Sequence, residues 1–488
     1  MQLSASARKF RDFASKPQDY RLTEALFLRL LGLVYLAAFA SFWPQMDGLF
    51  GMRGIVPVSR VLTAIHNEMG ASAFYQVPTL FWVNSSDAAM VWCCIVGCLS
   101  GLLLVAGVFS RAASIVCWIL YLSIVSVGEP FTSFQWDALL LEAGFLALFA
   151  GSAWLVWAYR VLLFRLMFES GLVKFLSGDP NWRNLHALRF HFMTQPLPNP
   201  IAYYAYRLPP GTLDFMTAAT LAIESLAPFL LFCPRRLRQI GVAFLMFLQL
   251  LIIFTGNYAF FNLLTLALCL WGLDDRTFVP IASLLQKTFP RASSPANANR
   301  FTSVRAASNV ILVLVTFLGV LQLLDMVHPA AFRFTRKPFA AIAPLEIVNS
   351  YGLFASMTTT RPELVIEGSN DQVNWREYSF RYKPGELHRG LPQIAPYQPR
   401  LDWQMWFAAL GDIQENPWVK NLLYRILTGE PSVTGLLEPP PFTTHPQYLR
   451  VLLYDYDFTT PGERERTGAV WKRTFRGIWF GPVSLTGH

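Results

Sequence analysis

The 488-residue sequence has few charged residues for its length. Only 15% of the residues are Asp, Glu, Lys or Arg, whereas 53% are hydrophobic and the mean hydropathy is +0.36. This composition excludes a single soluble globule and is typical of a multi-pass membrane protein. The net charge of +9 does not indicate nucleic-acid binding, because much of it lies in loops beside apolar segments, where Lys and Arg orient membrane helices.

Cysteine is absent after residue 269, and the sequence has no CxxC redox motif. The C-terminal part therefore cannot depend on disulfides of its own. The six cysteines all lie in or at the ends of hydrophobic segments, and we interpret them as apolar packing residues: Cys93, Cys94, Cys98, Cys117, Cys233 and Cys269.

Motifs of common soluble enzymes are also missing. We find no Ser-His-Asp arrangement, no Gly-rich phosphate loop and no glycosidase-like carboxylate pair. His186 and His191 are five residues apart, which is not the spacing of two metal ligands on one helix face. The sequence therefore predicts neither a metal site nor a bound cofactor.

Apolar segments long enough to cross a bilayer dominate the first two thirds of the chain. About 20 helical residues span ~30 Å of hydrocarbon. We place eight such segments at residues 23–43, 88–109, 112–127, 136–157, 213–232, 237–254, 258–273 and 306–324, and a ninth, charged one begins at residue 160. The fold class expected is an α-helical multi-pass bundle of about nine spans in residues 23–325, preceded by a basic cytoplasmic arm, residues 1–22.

Basic residues predict the orientation of this bundle. If the charged fifth segment crosses the membrane, two later basic groups fall on the same side as the N-terminal arm, as the positive-inside rule requires. These groups are Arg235, Arg236 and Arg238, and then Arg276, Lys287, Arg291, Arg300 and Arg305. We therefore expect a cytoplasmic N-terminus and an extracytoplasmic C-terminal domain.

The fifth segment is the expected functional site. It carries Arg165, Glu169 and Lys174, each of which costs roughly 2.5–3.5 kcal/mol at a bilayer centre unless it has a partner, water or a function. Arg165 is also a candidate binding residue, and the loop that follows adds Trp182, Arg183 and His186.

Structural roles compete with these functional ones. Arg165 and Glu169 are four residues apart and can form a buried, mutually neutralised pair. Lys174 can extend to the interface. Glu224, an isolated carboxylate in a later span, is either a structural partner for an arginine or a site residue.

Residues 326–488 have a different composition, with short alternating segments, Pro and charges. The segments 363–368 and 375–382 flank a polar turn and read as strand, turn, strand, and a second pair covers 448–456 and 471–479. We predict a β-sandwich-like domain with a helical insertion. Trp403 and Trp406 in that insertion are either core residues or an exposed binding surface.

Long blocks of the sequence resemble the lipase maturation factor family. They are FQWDALLLEAGFLALF (134–149), FRLMFESGLVKFLSGDPNWRNLHAL (164–188), TGNYAFFNLLTLALCL (255–270), IVNSYGLFASMTTTRPELVIEGSNDQVNWREYSFRYKPG (347–385) and PRLDWQMWFAAL (399–410). The resemblance implies a multi-pass protein that helps secreted lipases reach their active, assembled form, in animals within the endoplasmic reticulum membrane. The C-terminus ends in TGH without a retrieval signal, and the outer domain lacks cysteine, so we expect a bacterial relative in the inner membrane.

The segment ESGLVKFLSGDPNWRN (169–184) is similar, more distantly, to the vitamin K-dependent gamma-carboxylase and its bacterial membrane relatives. This resemblance implies that Lys174 matches the lysine regarded as the active base. Burial lowers a lysine pKa towards neutrality and so makes such a base usable.

Three functional hypotheses follow. The leading one is a non-enzymatic, chaperone-like maturation factor whose outer domain binds a secreted client such as a lipase. The alternative is a membrane enzyme acting on a lipidic or quinone-like substrate with Lys174 as base and Glu169 or Glu224 nearby. The third is a scaffold for a neighbouring membrane protein. The expected partners are the membrane and the client, and no nucleic acid.

Overall fold

The computed structural model of the chain describes residues 20–278 and 302–485. Most of the basic arm lies outside the described residues, as do Lys287, Arg291 and Arg300. In chain order the helices are α1 (Arg21–Phe42), α2 (Met46–Phe50), α3 (Val58–Met69), α4 (Ala73–Gln76), α5 (Asp87–Ala106), α6 (Ser110–Val125), α7 (Gln135–Ala147), α8 (Leu155–Leu176), α9 (Pro180–Arg183), α10 (Leu188–Thr194), α11 (Pro200–Ala205), α12 (Pro210–Leu226), α13 (Arg235–Thr255), α14 (Phe261–Cys269), α15 (Thr302–Val327), α16 (Arg336–Ile342), α17 (Arg400–Ala408), α18 (Trp418–Leu427), α19 (Pro431–Thr434) and α20 (Pro461–Thr467). The strands are β1 (Pro362–Ser369), β2 (Arg376–Tyr378), β3 (Tyr448–Phe458) and β4 (Trp471–Val483).

The first part of the chain is a helical membrane bundle. Within the described residues, five helices are long and apolar enough to cross a membrane. They are α1 with its continuation to Phe50, α5, α12 with its continuation to Phe232, α13, and α15. The expected count of about nine is therefore not confirmed, because α6, α7 and α14 are shorter and α8 carries buried charges.

Small residues set the closest helix contact of the bundle. Gly32 of α1 lies against Gly101 and Leu104 of α5, and a Cβ added to Gly32 would lie 2.6 Å from Leu104 Cβ and 2.8 Å from Gly101 O. Membrane helices lack a hydrophobic driving force between them, so they gain stability from such close backbone approach. This glycine pair fixes the α1–α5 crossing.

Loops of the bundle gather at two opposite levels. At one level, Thr23 N donates to Asp275 Oδ1 over 2.9 Å and Arg235 Nε donates to Asp274 Oδ2 over 2.8 Å. At the other level, the bundle meets the C-terminal domain through contacts such as Gln45 Nε2 to Gln398 O at 2.8 Å. The level near Asp275 is called the N-terminal side below, and the opposite level the domain side.

The C-terminal domain is built on one antiparallel sheet in the order β2-β1-β3-β4. The predicted strand, turn and strand are β1 and β2, which pair with Ile366 opposite Tyr378. In the turn, Asp371 Oδ1 accepts the backbone N–H groups of Val373 and Asn374, which holds the pKa of Asp371 well below its usual range.

A two-sheet sandwich is not confirmed in the described part of the chain. Helix α17 packs against β1, with Trp403 and Met405 buried, where a sandwich would place a second sheet. Asp402 of this helix also accepts the backbone N–H groups of Tyr382 and Lys383 over 2.8 and 2.9 Å. The helical insertion and the bundle together cover the apolar surface that would otherwise need more strands.

The domain is joined to the bundle by a fully buried ion pair. Arg400 of α17 donates from Nη1 to Asp137 Oδ2 over 2.8 Å and from Nη2 to Asp137 Oδ1 over 2.7 Å. Both side chains are 0% exposed. Such a bidentate contact fixes both the distance and the relative orientation of the two side chains. The sheet therefore sits in one orientation on the helices.

Candidate functional site

A cavity of about 270 Å³ lies between α8, α12, α13 and α14. Its walls are mainly Leu, Ile, Phe and Met side chains, and the outer domain contributes Leu353 and Phe354. The polar or titratable side chains that line it are Ser170, Lys174, Trp182, His191, Thr220, Glu224, Gln249, Thr255, Tyr258, Asn262 and Thr265.

Lys174 and Glu224 form an ion pair in the wall of this cavity. Lys174 Nζ lies 2.7 Å from Glu224 Oε2 and also donates to Ser170 O over 2.9 Å. The side chains are only 5% and 9% exposed. Lys174 therefore does not extend to the interface, and its carboxylate partner comes from a helix 50 positions later in the chain.

Local sequence explains why the two helices come close enough for this pair. Gly171 of α8 faces α12, and a Cβ at Gly171 would lie 2.8 Å from Ser225 Oγ and 3.1 Å from Glu224 Cβ. A larger residue would push α12 away and lengthen the Lys174–Glu224 contact. The ring of Trp182 covers the ammonium group, with 5.1 Å from Lys174 Nζ to the ring centre.

His191 and Tyr258 form a second polar contact of the cavity. Tyr258 OH lies 3.0 Å from His191 Nε2 and donates to Gln195 Oε1 over 2.9 Å. Burial, and after it the charge of Lys174, lowers the pKa of His191 to about 4. The imidazole is therefore neutral near pH 7. Lys174 and Glu224 are then the only charged groups among the lining residues, and their charges cancel.

A separate charged cluster surrounds Arg165. Its Nη1 donates to Glu142 Oε1 over 2.7 Å and its Nε to Glu169 Oε1 over 3.2 Å. Two backbone N–H groups from the start of the C-terminal domain complete it, because Asn349 N donates to Glu142 Oε2 and Tyr351 N to Glu169 Oε2. The predicted Arg165–Glu169 pair is thus present, with Glu142 as a further partner.

Of the three predicted catalytic residues, the structure brings two together. Lys174 and Glu224 meet at the cavity, whereas Glu169 belongs to the Arg165 cluster. The pair offers adjacent donor and acceptor groups within an apolar cavity. Such an arrangement can hold a polar head group or exchange a proton with it. Catalysis by these residues stays a prediction.

The predicted binding residues occupy four different places, and the first of them, Arg165, lies in the cluster with Glu142 and Glu169. Trp182 covers the ion pair, while Arg183 is exposed and His186 does not line the cavity. Trp403 and Trp406 are buried at the junction of the two domains. Trp403 packs on Trp136 with 4.8 Å between ring centres, and Trp406 Nε1 donates to Thr194 O over 2.9 Å.

Sequence reasoning missed several residues of these sites. Tyr258 and Tyr351 are ordinary aromatic residues in the sequence and carry no local signal of a polar role. Asp137 lies near the start of a predicted span and reads as interfacial, yet it is the partner of Arg400. The one available signal was that a buried arginine needs a carboxylate partner. Applied to Arg165 and Arg400, this requirement could have suggested Glu142 and Asp137.

Metal ligands are not grouped in the described residues. No set of three His, Cys, Asp or Glu side chains in residues 20–278 and 302–485 is placed to hold a metal ion.

Comparison with known proteins gives matches in both domains. Residues 22–280 match the lipase maturation factor transmembrane domain, and residues 347–481 match the lipase maturation factor C-terminal domain. Lipase maturation factor 2 of Gallus gallus is 34% identical over 96% of this chain and 82% of its own length. Lipase maturation factor 1 of Bos taurus is 31% identical over 97% of this chain and 92% of its own length. Lipase maturation factor 2 of Homo sapiens is 33% identical over 95% of this chain and 83% of its own length.

No solved structure matches the chain. The expected resemblance to gamma-carboxylases and the expected bacterial origin stay predictions.

Proposed function

The chain belongs to the lipase maturation factor family, and we propose that it is a membrane-anchored factor that brings secreted lipases to their active, assembled form. The observation that carries this proposal is the match of the membrane bundle and the outer domain together, in relatives covered over most of their length. This one chain therefore contains both domains of a lipase maturation factor, the membrane domain and the C-terminal domain.

The rigid connection between the two parts supports this function. Arg400–Asp137 and the Trp403–Trp136 contact hold the outer domain directly on the helices, without a free linker at these points. A client that emerges from the membrane would meet the domain at a fixed distance and orientation. Client contact would then use the exposed apolar side chains of β4, Phe475 and Ile478, which are 54% and 57% exposed.

The topology that fits this function has nine crossings. The helices α1, α5, α6, α7, α8, α12, α13, α14 and α15 run alternately from the N-terminal side to the domain side and back, which supports nine crossings although only five meet the length and hydropathy criteria. With the N-terminal side cytoplasmic, the outer domain faces the periplasm in a bacterium or the lumen of the endoplasmic reticulum in a eukaryote.

The function can be tested in cells that lack their own lipase maturation factor and express a secreted lipase that depends on one. Adding the wild-type chain should raise the specific activity of the secreted lipase, measured as activity per mass of lipase. Arg400→Met should abolish this rescue because Asp137 loses its buried partner and the domain loses its position. Arg189→Met is the matched control, because Arg189 and its partner Asp214 are partly exposed and their ion pair joins α10 to α12, not the bundle to the outer domain.

A second variant separates client contact from folding. Phe475→Glu with Ile478→Glu changes exposed side chains, so the protein should reach the membrane at wild-type levels while rescue falls. Full rescue by this double variant would reject β4 as the client surface. An absence of rescue by the wild-type chain for every lipase tested would reject the proposed function.

A further inference from the structure

The cavity around Lys174 opens towards the lipid. Phe215 of α12 and Phe247 of α13 both line the cavity, yet they are 72% and 55% exposed. Side chains that are exposed on membrane-spanning helices face acyl chains rather than water. A molecule in the bilayer therefore reaches the cavity sideways, between α12 and α13, without passing through water.

Depth places one end of the cavity near the head-group region. Lys174 lies two residues before the C-terminal end of α8, on the domain side. Leu166 lies about 12 Å deeper along the helix axis, at 1.5 Å per residue. Trp182 and Phe354, from segments outside the helix bundle, close the shallow end. The polar groups of a bound lipid would thus lie near Lys174 and its chain deeper.

The size of the cavity favours a slender ligand. Its volume of about 270 Å³ is below the ~300–1,000 Å³ of pockets that enclose drug-sized molecules. The cavity therefore encloses part of one acyl chain and has no room for two, and the rest of that chain extends between α12 and α13. At the deep end, Asn262 Nδ2 donates to Gln249 Oε1 over 2.7 Å, so these amides already have partners and do not require a second polar group of the ligand.

Charge decides the kind of head group. An anionic group would have to replace Glu224 at Lys174, and a cationic group would have to replace Lys174 at Glu224, so each would leave a buried charge without a partner. An uncharged group with hydroxyl and carbonyl oxygens leaves the pair intact. Among the described residues, no hydrogen bond reaches Glu224 Oε1, and this oxygen can accept a ligand hydroxyl.

We propose that this cavity binds one uncharged, single-chain amphiphile from the extracytoplasmic leaflet, of the monoacylglycerol class. The hydroxyl groups of the head group lie at Glu224 and Lys174, and the acyl chain lies between α12 and α13. Lipid binding can be measured with the purified protein and the lipid alone. It therefore does not depend on the proposed activation of a client.

The test uses the full-length purified protein and 1-acylglycerol with a photoreactive diazirine in the acyl chain. Labelled peptides identified by mass spectrometry should come from α8, α12 and α13. Excess 1-oleoylglycerol should remove the label, whereas oleate, oleylamine and dioleoylphosphatidylcholine should not. Ala219→Trp, which fills the cavity, should reduce labelling at least tenfold. Ala222→Trp on the lipid-facing side of the same helix should leave it unchanged.

Competition by oleate in the Glu224→Gln variant distinguishes a ligand-binding ion pair from a purely structural one. Without the carboxylate, the positive charge of Lys174 has no partner in the cavity, so oleate should become an effective competitor. This variant carries the test alone if Ala219→Trp does not fold. Labelling spread over all lipid-facing helices, or oleate competing equally well in wild type and Glu224→Gln, would overturn the proposal.

Discussion

At the residue scale, buried charges occur as neutralised groups that connect distant parts of the chain. Arg165 joins α8 to α7 through Glu142, and Lys174 joins α8 to α12 through Glu224. Each group is expensive to bury alone and far less so when paired. These contacts therefore specify which helices are neighbours more than they add to the net stability of the bundle.

Arg165→Met should strongly destabilise the protein. The change removes the shared partner of Glu142 and Glu169 and leaves two buried carboxylates, and breaking a buried pair in this way costs ~3–5 kcal/mol. Thermal stability in detergent, followed by size-exclusion chromatography of heated samples, measures the loss. Arg189→Met, which removes a partly exposed pair, should leave the melting temperature nearly unchanged. Equal stability of the two variants would show that the Arg165 cluster is not essential to the fold.

His191 should give the protein a distinct pH dependence. Its pKa is lowered to about 4 in the folded state, whereas an unfolded histidine titrates near ~6.5. The free energy of unfolding should be highest above pH ~6.5 and should fall as the pH drops towards 4. Between these pH values the unfolded chain binds a proton at His191 that the folded chain does not bind.

Melting temperatures measured between pH 7.5 and 4 check this prediction. His191→Gln should flatten the decline by several degrees, since glutamine does not titrate there. His388→Gln is the control, because His388 is on the surface with its side chain 60% exposed. An equally steep decline in wild type and His191→Gln would contradict the prediction.

At the element scale, close helix packing depends on glycine rather than on apolar area. Gly32→Val should disrupt the α1–α5 contact, because the added atoms would meet the Gly101 carbonyl and the backbone of Val105. Overpacking of this kind costs ~1–3 kcal/mol and more where backbone must move. Membrane yield and melting temperature should both fall. Gly211→Val, where an added Cβ has no neighbour within 4 Å, is the control and should retain both.

Elements with a local signal could be predicted from the sequence, and contacts between elements could not. The charges in α8 and the strand, turn and strand of β1 and β2 follow from residues that are near one another in the chain. The Lys174–Glu224 pair joins positions 50 apart, and Tyr351 reaches Glu169 from 182 positions away. No periodicity encodes such pairing. The sandwich was expected because strand patterns do not reveal that α17 covers β1.

At the scale of the whole molecule, charged loops and buried contacts lead to the same topology. Arg235 and Asp274 lie on the N-terminal side, and the sheet lies on the other. Arg235, Arg236 and Arg238 follow one another at the start of α13 on this same side, which supports the proposed cytoplasmic placement of the N-terminal side under the positive-inside rule. An inverted protein would expose Arg235, Arg236 and Arg238 beyond the membrane.

Cysteine accessibility tests this orientation. In a Cys233→Ser background, Val373→Cys places a thiol on the outer domain, where Val373 is 77% exposed. Arg111→Cys places one at an exposed position at the start of α6, directly after the turn from α5. In intact bacterial cells expressing the protein, a membrane-impermeant maleimide should label Val373→Cys and should label Arg111→Cys only after lysis. The remaining native cysteines are buried in helices and should stay unlabelled. The reverse pattern would place the outer domain in the cytoplasm, where no secreted lipase could reach it, and would remove the physical basis of the proposed function.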